Sequence, residues 1–290
     1  MDADRQKVAN ENSEEQESTI FYVYGDFEQD VLAQVRRETY GEDIGQFSWL
    51  TADEFRRFFE RLDLDAGSDV LDVACGSGGP AIFMAQTTGC RVTGIDINEG
   101  GVNTGTQMAE ARGVSDRVQF KQVDASLRLP FEDASFDAIT CIDAINHMYN
   151  RAEVMGEWYR VLRPGGRFLF TDAVVVTGML LRDEIMARSS SMGEFIFTPP
   201  GIHDHFIEAA GFIDLQVEDV TSTIATVSKN WHDARADHRD YLLEIESQAA
   251  FEDLQRMLAA THTLSSERRL SRFAYRARKP PHQLRVSANP

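Results

Sequence analysis

A chain of 290 residues, 42% hydrophobic and 26% charged, is long enough to bury a sizeable core and has the composition of a water-soluble globular protein. Its net charge of −18 and pI of about 4.8 argue against a nucleic-acid substrate, which needs clustered Lys and Arg, and against docking on an anionic membrane. Cys75, Cys90 and Cys141 show no C-x-x-C spacing and read as buried free thiols, with no disulfide frame and no zinc site.

In chain order, residues 1–18 (MDADRQKVANENSEEQES) have no hydrophobic period and read as a disordered acidic tail without an apolar signal segment. Residues 19–62 read as a helical lid: DFEQDVLAQVRRETY and TADEFRRFFERL carry helical patterns, Thr51 suits an N-cap, and GEDIGQFSW joins them. Residues 63–280 read as one α/β domain. From Asp69 to Asp172 strands alternate with helices: VLDVA, RVTGIDI, RVQFKQVDA, FDAITCI and RFLFTDA, interleaved with PAIFMAQTTG, GVNTGTQMAEARG and RAEVMGEWYRVL. Such alternation means βαβ units in a doubly wound, mostly parallel sheet that binds its ligand beyond the carboxyl ends of its strands. Two later segments, FIDLQVEDV and LSRFAYRARK, bring the expected strands to seven. Helical insertions are expected at 175–200 and 226–260, Gly211 is expected to stop a helix, and 281–290 reads as a loose tail. The longest apolar run, AVVVTGMLL, is too short to span a bilayer, and a reducing, cytoplasmic compartment is expected.

VLDVACGSGGPA places Gly76, Gly78 and Gly79 between a strand and a helix, where glycine lets backbone N–H groups approach a cofactor, and Pro80 suits the first helical turn. Twenty residues after Gly76, the second strand ends in Asp96, placed to hold ribose hydroxyls. Gly76, Gly78 and Ala81 formally match G-x-G-x-x-G/A, so an NAD(P)-dependent oxidoreductase is an alternative. Asp72 weighs against it: a carboxylate inside the strand repels a pyrophosphate but can receive an ammonium group. A cofactor with an adenosine and a cationic amino-acid end fits better.

VLDVACGSGG, GIDIN, QVDA, FDAITCIDAINHM and LRPGGRFLFTDA stand in the order and spacing of the class I S-adenosylmethionine-dependent methyltransferases, and over residues 40–220 the chain resembles that family. The resemblance implies a Rossmann-like methyltransferase fold for 63–280 and S-adenosyl-L-methionine as cofactor. Gly76 and Gly78 would lie against its methionine end, Asp96 would hold the ribose, Ile97 would pack the adenine, and Asp124 with Ala125 would meet the adenine amino group. The layout is most similar to small-molecule amine methyltransferases of the phosphoethanolamine and sarcosine/dimethylglycine types. In the former, D-A-I-x-H supplies an Asp–His dyad at the acceptor, matched here by Asp143, Ala144, Ile145 and His147. YGEDIGQFSWL resembles the same type's loop over the cofactor, which puts Gln46 near the methionine moiety. This chain has Gln-Phe-Ser-Trp where that type has small residues, and its helical insertion shows no Arg, Lys and Tyr cluster for a phosphate, which argues against phosphoethanolamine itself. Methyltransferases of sterols, quinols and natural products also carry an acid and a His near this point.

The fourth strand ends at Cys141 or Ile142, beside the methyl donor, so Asp143 and His147 leave the sheet where an acceptor would sit. Four residues apart, they share a face if the segment turns helically, and the carboxylate would fix the imidazole that takes the acceptor's proton. An amine nitrogen of a small molecule is the favoured acceptor; O- or C-methylation of a natural-product or quinol-like molecule is the alternative, and cofactor binding without catalysis a third reading. Trp49, Trp231 and Tyr241 are candidates for the pocket wall. In GIHDHF, His203 and His205 form an H-x-H without an evident third ligand, so no metal is expected. No nucleic-acid or membrane partner is expected, and the oligomeric state is not legible.

Overall fold

The strand–helix alternation that begins at Asp69 becomes a seven-stranded sheet in the computed structural model, which describes residues 30–189 and 195–281. The expected acidic tail, the first part of the lid (19–29), residues 190–194 of the insertion and tail residues 282–290 lie outside the described residues. The strands are β1 (Asp69–Val73), β2 (Arg91–Asp96), β3 (Val118–Gln122), β4 (Phe136–Cys141), β5 (Leu162–Val176), β6 (Ile213–Asp219) and β7 (Leu270–Arg278), in the order β3-β2-β1-β4-β5-β7-β6. All neighbours pair in parallel except β7, which runs antiparallel to β5 and β6. Chain direction reverses its march across the sheet between β1 and β4, and that switch point opens a crevice at their carboxyl ends.

The lid contributes α1 (Asp30–Tyr40) and α2 (Ala52–Leu62). The Thr51 hydroxyl accepts from the Glu54 N–H at 3.2 Å, the N-cap expected from the sequence. Between strands lie α3 (Gly79–Thr88), α4 (Glu99–Ala111) and α5 (Arg151–Val161); after β5 come α6 (Arg182–Arg188) and α7 (Ile202–Ala209). The long helical region after β6 divides into α8 (Thr221–Asp237), a single turn α9 (Arg239–Leu242) and α10 (Gln248–Ser266). Gly211, at φ 93°, follows the end of α7 in the left-handed conformation that a non-Gly residue resists.

Period-two alternation sends neighbouring strand residues into two cores. Val70, Ala138, Leu169 and Ala274 pack with Phe55, Phe58, Ile82 and Met108 on one face. Leu71, Ile139, Phe168, Phe170 and Tyr275 pack with Met155, Trp158 and Ile207 on the other. A third cluster joins α1, α8 and α10 through Val35, Trp49, Trp231, Ala234, Phe251 and Leu258, and seats the lid over one end of the sheet. LRPGG lies inside the span of β5, where the pairing with β4 slips a register between Phe136 and Ala138 and Gly165 takes φ 81°. No described helix is long and apolar enough to cross a membrane.

Candidate functional site

A cleft of about 430 Å³, counting its part open to solvent, lies at the carboxyl ends of β1 and β4. Its lining includes Asp72, Ala74, Gly76, Ser77 and Ile142 from the sheet side, and Gly45, Phe47 and Ser48 from the lid loop. Ala74 and Gly76 both adopt φ 56°, so the chain leaves β1 through two left-handed residues, one of them strained. Gly79 is required by close approach: a Cβ there would stand 2.3 Å from the Gly45 carbonyl oxygen and 2.4 Å from that of Ile44. The glycine turn and the lid loop therefore touch backbone to backbone, and the cleft is closed on that side.

Asp72 is buried, and the Thr140 hydroxyl donates to its Oδ1 at 2.6 Å. Burial pushes its carboxyl up to about 7, against the Thr140 bond and with help from Asp96. A buried carboxyl with one hydroxyl partner, facing a cleft, suits an arriving ammonium group. Asp96 Oδ2 accepts from the Gly76 N–H at 2.8 Å and Oδ1 from the Asn98 N–H at 2.9 Å, so it ties the glycine turn to the end of β2. Burial raises its pKa while those N–H groups pull it down. Ile97 beside it is 66% exposed, an uncovered apolar side chain next to Asp96. These residues fit the amino-acid and ribose-adenine ends of S-adenosylmethionine.

The other cofactor residues expected from the sequence are placed less directly. Asp124 Oδ1 accepts from the Ser126 N–H at 2.8 Å and so caps its own turn at the end of β3, while Ala125 packs against the second core. Gly78 caps α3 at φ 80° against the ring of Phe120. Gln46 spends its amide within its own loop: Oε1 accepts from Ile44 N–H at 2.8 Å and Nε2 donates to the Glu42 carbonyl at 3.2 Å. Its neighbours Gly45, Phe47 and Ser48 line the cleft in its place.

On the acceptor side the structure separates two residues that the sequence paired. Asp143 takes φ 55°, and a 3-10 turn, Ile145–His147, replaces the expected helical turn. The Asp143 carboxylate is spoken for: Oδ1 accepts from Arg272 Nε and Thr171 Oγ1, each at 2.7 Å, and Oδ2 accepts from the Trp49 N–H at 3.0 Å. Arg272 also donates through Nη1 to Glu54 Oε2 at 2.6 Å. Among the described residues no hydrogen bond joins Asp143 to His147. The His147 side chain is exposed and packs against the Phe195 ring at 4.7 Å, tilted by 44°.

The pocket-wall candidates divide. Trp231 packs edge-on to Phe47 at 5.0 Å and to Trp49 at 5.9 Å, which seats Trp231 against two rings of the lid loop. Tyr241 is 65% exposed on α9 and outside that cluster. His203 and His205 part company: His205 is exposed, and His203 is buried with Nε2 2.6 Å from Asp172 Oδ2. Burial pushes the Asp172 carboxyl up, but the bond and charge of His203 outweigh it and leave the pKa lowered.

The sequence reading missed Glu54, Thr171, Arg188 and Arg272. One sign of Glu54 was legible: it precedes Phe58 by four residues on the apolar stripe of α2, where an acid needs a buried partner. Arg272 alternates with Arg276 and Arg278 along one face of β7, and nothing local separates the buried arginine from the others.

A family model described as a methyltransferase domain matches residues 64–233. Methyltransferase GfsG of Streptomyces halstedii is 44% identical over 119 residues, 41% of this chain and 42% of that one, so less than half of its length is spanned. The 27-O-demethylrifamycin SV methyltransferase of Amycolatopsis mediterranei is 32% identical over 203 residues, 66% of this chain and 74% of that one. Among solved structures, phosphoethanolamine N-methyltransferase 2 of Haemonchus contortus superposes with a TM-score of 0.75 at 22% identity, covering 90% of this chain and 60% of that one, a likeness of fold. With more than half of its residues matched, the chain belongs to the methyltransferase domain family, enzymes that draw their methyl group from S-adenosylmethionine.

Proposed function

We propose that the chain methylates a hydroxyl oxygen of a small-molecule acceptor, with His147 as the base that takes the hydroxyl proton. The observation that carries the choice of oxygen is the placement of Arg188. Its guanidinium carbon stands 5.5 Å from the Trp49 ring and 4.4 Å from the Phe195 ring, so a protein cation already occupies aromatic faces that an ammonium acceptor would use. The relative matched over 74% of its length is named for a 27-O-demethylated acceptor, which supports the same reading. An amine nitrogen is the second reading, favoured by the D-A-I-x-H match at Asp143 to His147. Three buried free thiols, Cys75, Cys90 and Cys141, support a reducing compartment such as the cytoplasm.

Bound S-adenosylmethionine supplies a methyl group on a sulfonium, an electrophile that needs only an aligned lone pair. His147 takes the hydroxyl proton as the new C–O bond forms and the C–S bond breaks. Asp143, with both oxygens engaged, fixes the Ile142–His147 loop through Arg272 and Trp49 and leaves proton transfer to the imidazole.

Calorimetric titration with S-adenosylmethionine, S-adenosylhomocysteine and NADH, followed by turnover on matched panels of hydroxyl and amine acceptors, tests this. The sulfur cofactors are expected to bind, and Asp96→Ala to weaken them about 10-fold or more, the worth of lost hydrogen bonds to a charged group. His147→Ala is expected to lower turnover about 10²–10⁴-fold while leaving S-adenosylhomocysteine affinity unchanged. Binding of NADH alone would overturn the assignment of the cleft; turnover confined to amines would restore the second reading.

A further inference from the structure

Arg188 ends α6 with 1% of its surface exposed, yet no carboxylate of the described residues meets it. Among the described residues Nη1 faces only the Met257 sulfur at 3.9 Å, and Nε and Nη2 meet no hydrogen-bond partner. Burial pulls its pKa down to about 10, partly offset by the more distant charges of Asp143 and Asp172, so the group remains a cation at neutral pH. Buried guanidinium N–H groups without acceptors are costly, and a native chain that retains them has a use for them.

The surroundings say where that use lies. Trp49 and Phe195 present their faces to the guanidinium. The Trp49 N–H holds Asp143, and the Phe195 ring packs against His147, so Arg188 stands on the acceptor side of the lid loop. Asn146, also 1% exposed, has both amide atoms unpartnered among the described residues, while its carbonyl accepts from the Ile196 N–H next to Phe195. Two buried polar groups without partners thus flank one short segment.

Nε and Nη2 form one edge of the guanidinium, the fork whose spacing matches the two oxygens of a carboxylate. We propose that Arg188 holds a carboxylate of the methyl acceptor side-on through Nε and Nη2, between the faces of Trp49 and Phe195. The inference rests on the proposed methyltransferase site with His147 beside the acceptor. A carboxylate suits the site better than a phosphate because the neighbouring guanidinium groups are committed: Arg272 to Asp143 and Glu54, and Arg151 to the carbonyls of Ile145 and Ile196.

The test is tryptophan fluorescence of the full chain saturated with S-adenosylhomocysteine, titrated separately with phenylacetate, phenylacetamide and inorganic phosphate. Trp49 lies beside Arg188 and Trp231 packs on Trp49, so two of the three tryptophans report on the site. Phenylacetate is expected to bind at least 10-fold more tightly than phenylacetamide. Arg188→Gln should erase that preference, and Arg188→Lys, which keeps the charge without the fork, should lose most of it. Calorimetry with S-adenosylhomocysteine on each variant reports an intact cofactor site; if Arg188→Gln fails to fold, Arg188→Lys and the two probes on the wild type decide. Equal binding of the two probes, no phenylacetate binding up to millimolar concentration, or a preference that survives Arg188→Gln overturns the proposal, and tighter binding of phosphate overturns it in favour of a phosphoryl group. Wild-type failure to bind S-adenosylhomocysteine sinks the methyltransferase reading instead, and phenylacetate titration without it still reports on Arg188.

Discussion

Arg272→Met is expected to lower the unfolding free energy by about 3–5 kcal/mol, the cost of stripping one partner from a buried ion pair. The side chains of Arg272, Glu54 and Asp143 are 0%, 1% and 4% exposed, so water cannot replace the lost guanidinium. Thr223 Oγ1 donates to Glu54 at 2.9 Å and Thr171 Oγ1 to Asp143, but two hydroxyls cannot neutralise two carboxylates. The penalty comes from the orphaned acids, so Arg272→Met combined with Glu54→Gln and Asp143→Asn should recover much of the loss, a non-additivity that isolates the charge contribution. Urea midpoints of the single, double and triple variants check this. A single variant that unfolds with the wild type would mean that the carboxylates reach water or take up protons at little cost. The same cluster couples α2 of the lid to the loop before His147, so Arg272→Met should also slow methyl transfer where the protein is still folded.

What was legible in the sequence shares one property: its physics is local. The chain leaves β1 through two left-handed residues, Ala74 and Gly76, and Asp72 and Asp96 mark strand ends within 25 residues of that turn. Period-two runs gave the strands, and the buried faces of both cores follow from the same alternation. What escaped depends on partners far along the chain. Asp143 and His147 sit four apart and resemble a dyad, yet Asp143 is claimed by an arginine 129 positions away. No helical wheel could show that its φ is positive or that the following turn is 3-10. Gln46 was placed by resemblance near the cofactor, and its amide serves the turn of its own loop. Arg188 looked like any basic residue in the last turn of a helix until its burial and its missing partners were known.

Asp72→Asn is expected to stabilise the free protein while disabling it. The unfolded carboxyl titrates near pH 3.9, and in the folded protein burial lifts it to about 7. Below pH 4 both states are protonated and the acid costs nothing. As pH rises from 4 to 7 the unfolded chain ionises first, so stability drains away and reaches its full loss above pH 7. The gap between the two pKa values corresponds to about 4 kcal/mol. Asparagine removes that penalty while its amide oxygen can still accept from Thr140, so the variant should melt higher than the wild type at pH 8 and equal it at pH 4. Cofactor binding should move the other way. An ammonium group beside Asp72 favours the ionised acid, so wild-type affinity for S-adenosylhomocysteine should fall as pH drops below 7, with a proton released on binding near neutrality. Asp72→Asn should bind about 10²-fold more weakly at pH 8, as expected for a charge-assisted bond lost in a buried site, and should show no such pH dependence. Melts at the two pH values, with calorimetry in buffers of different ionisation enthalpy, read both halves. If the variant melts with the wild type at pH 8, the buried acid costs the fold nothing; if its affinity holds, the ammonium group is seated elsewhere in the cleft. Both results as expected would identify Asp72 as a residue kept at the expense of stability for the sake of the cofactor.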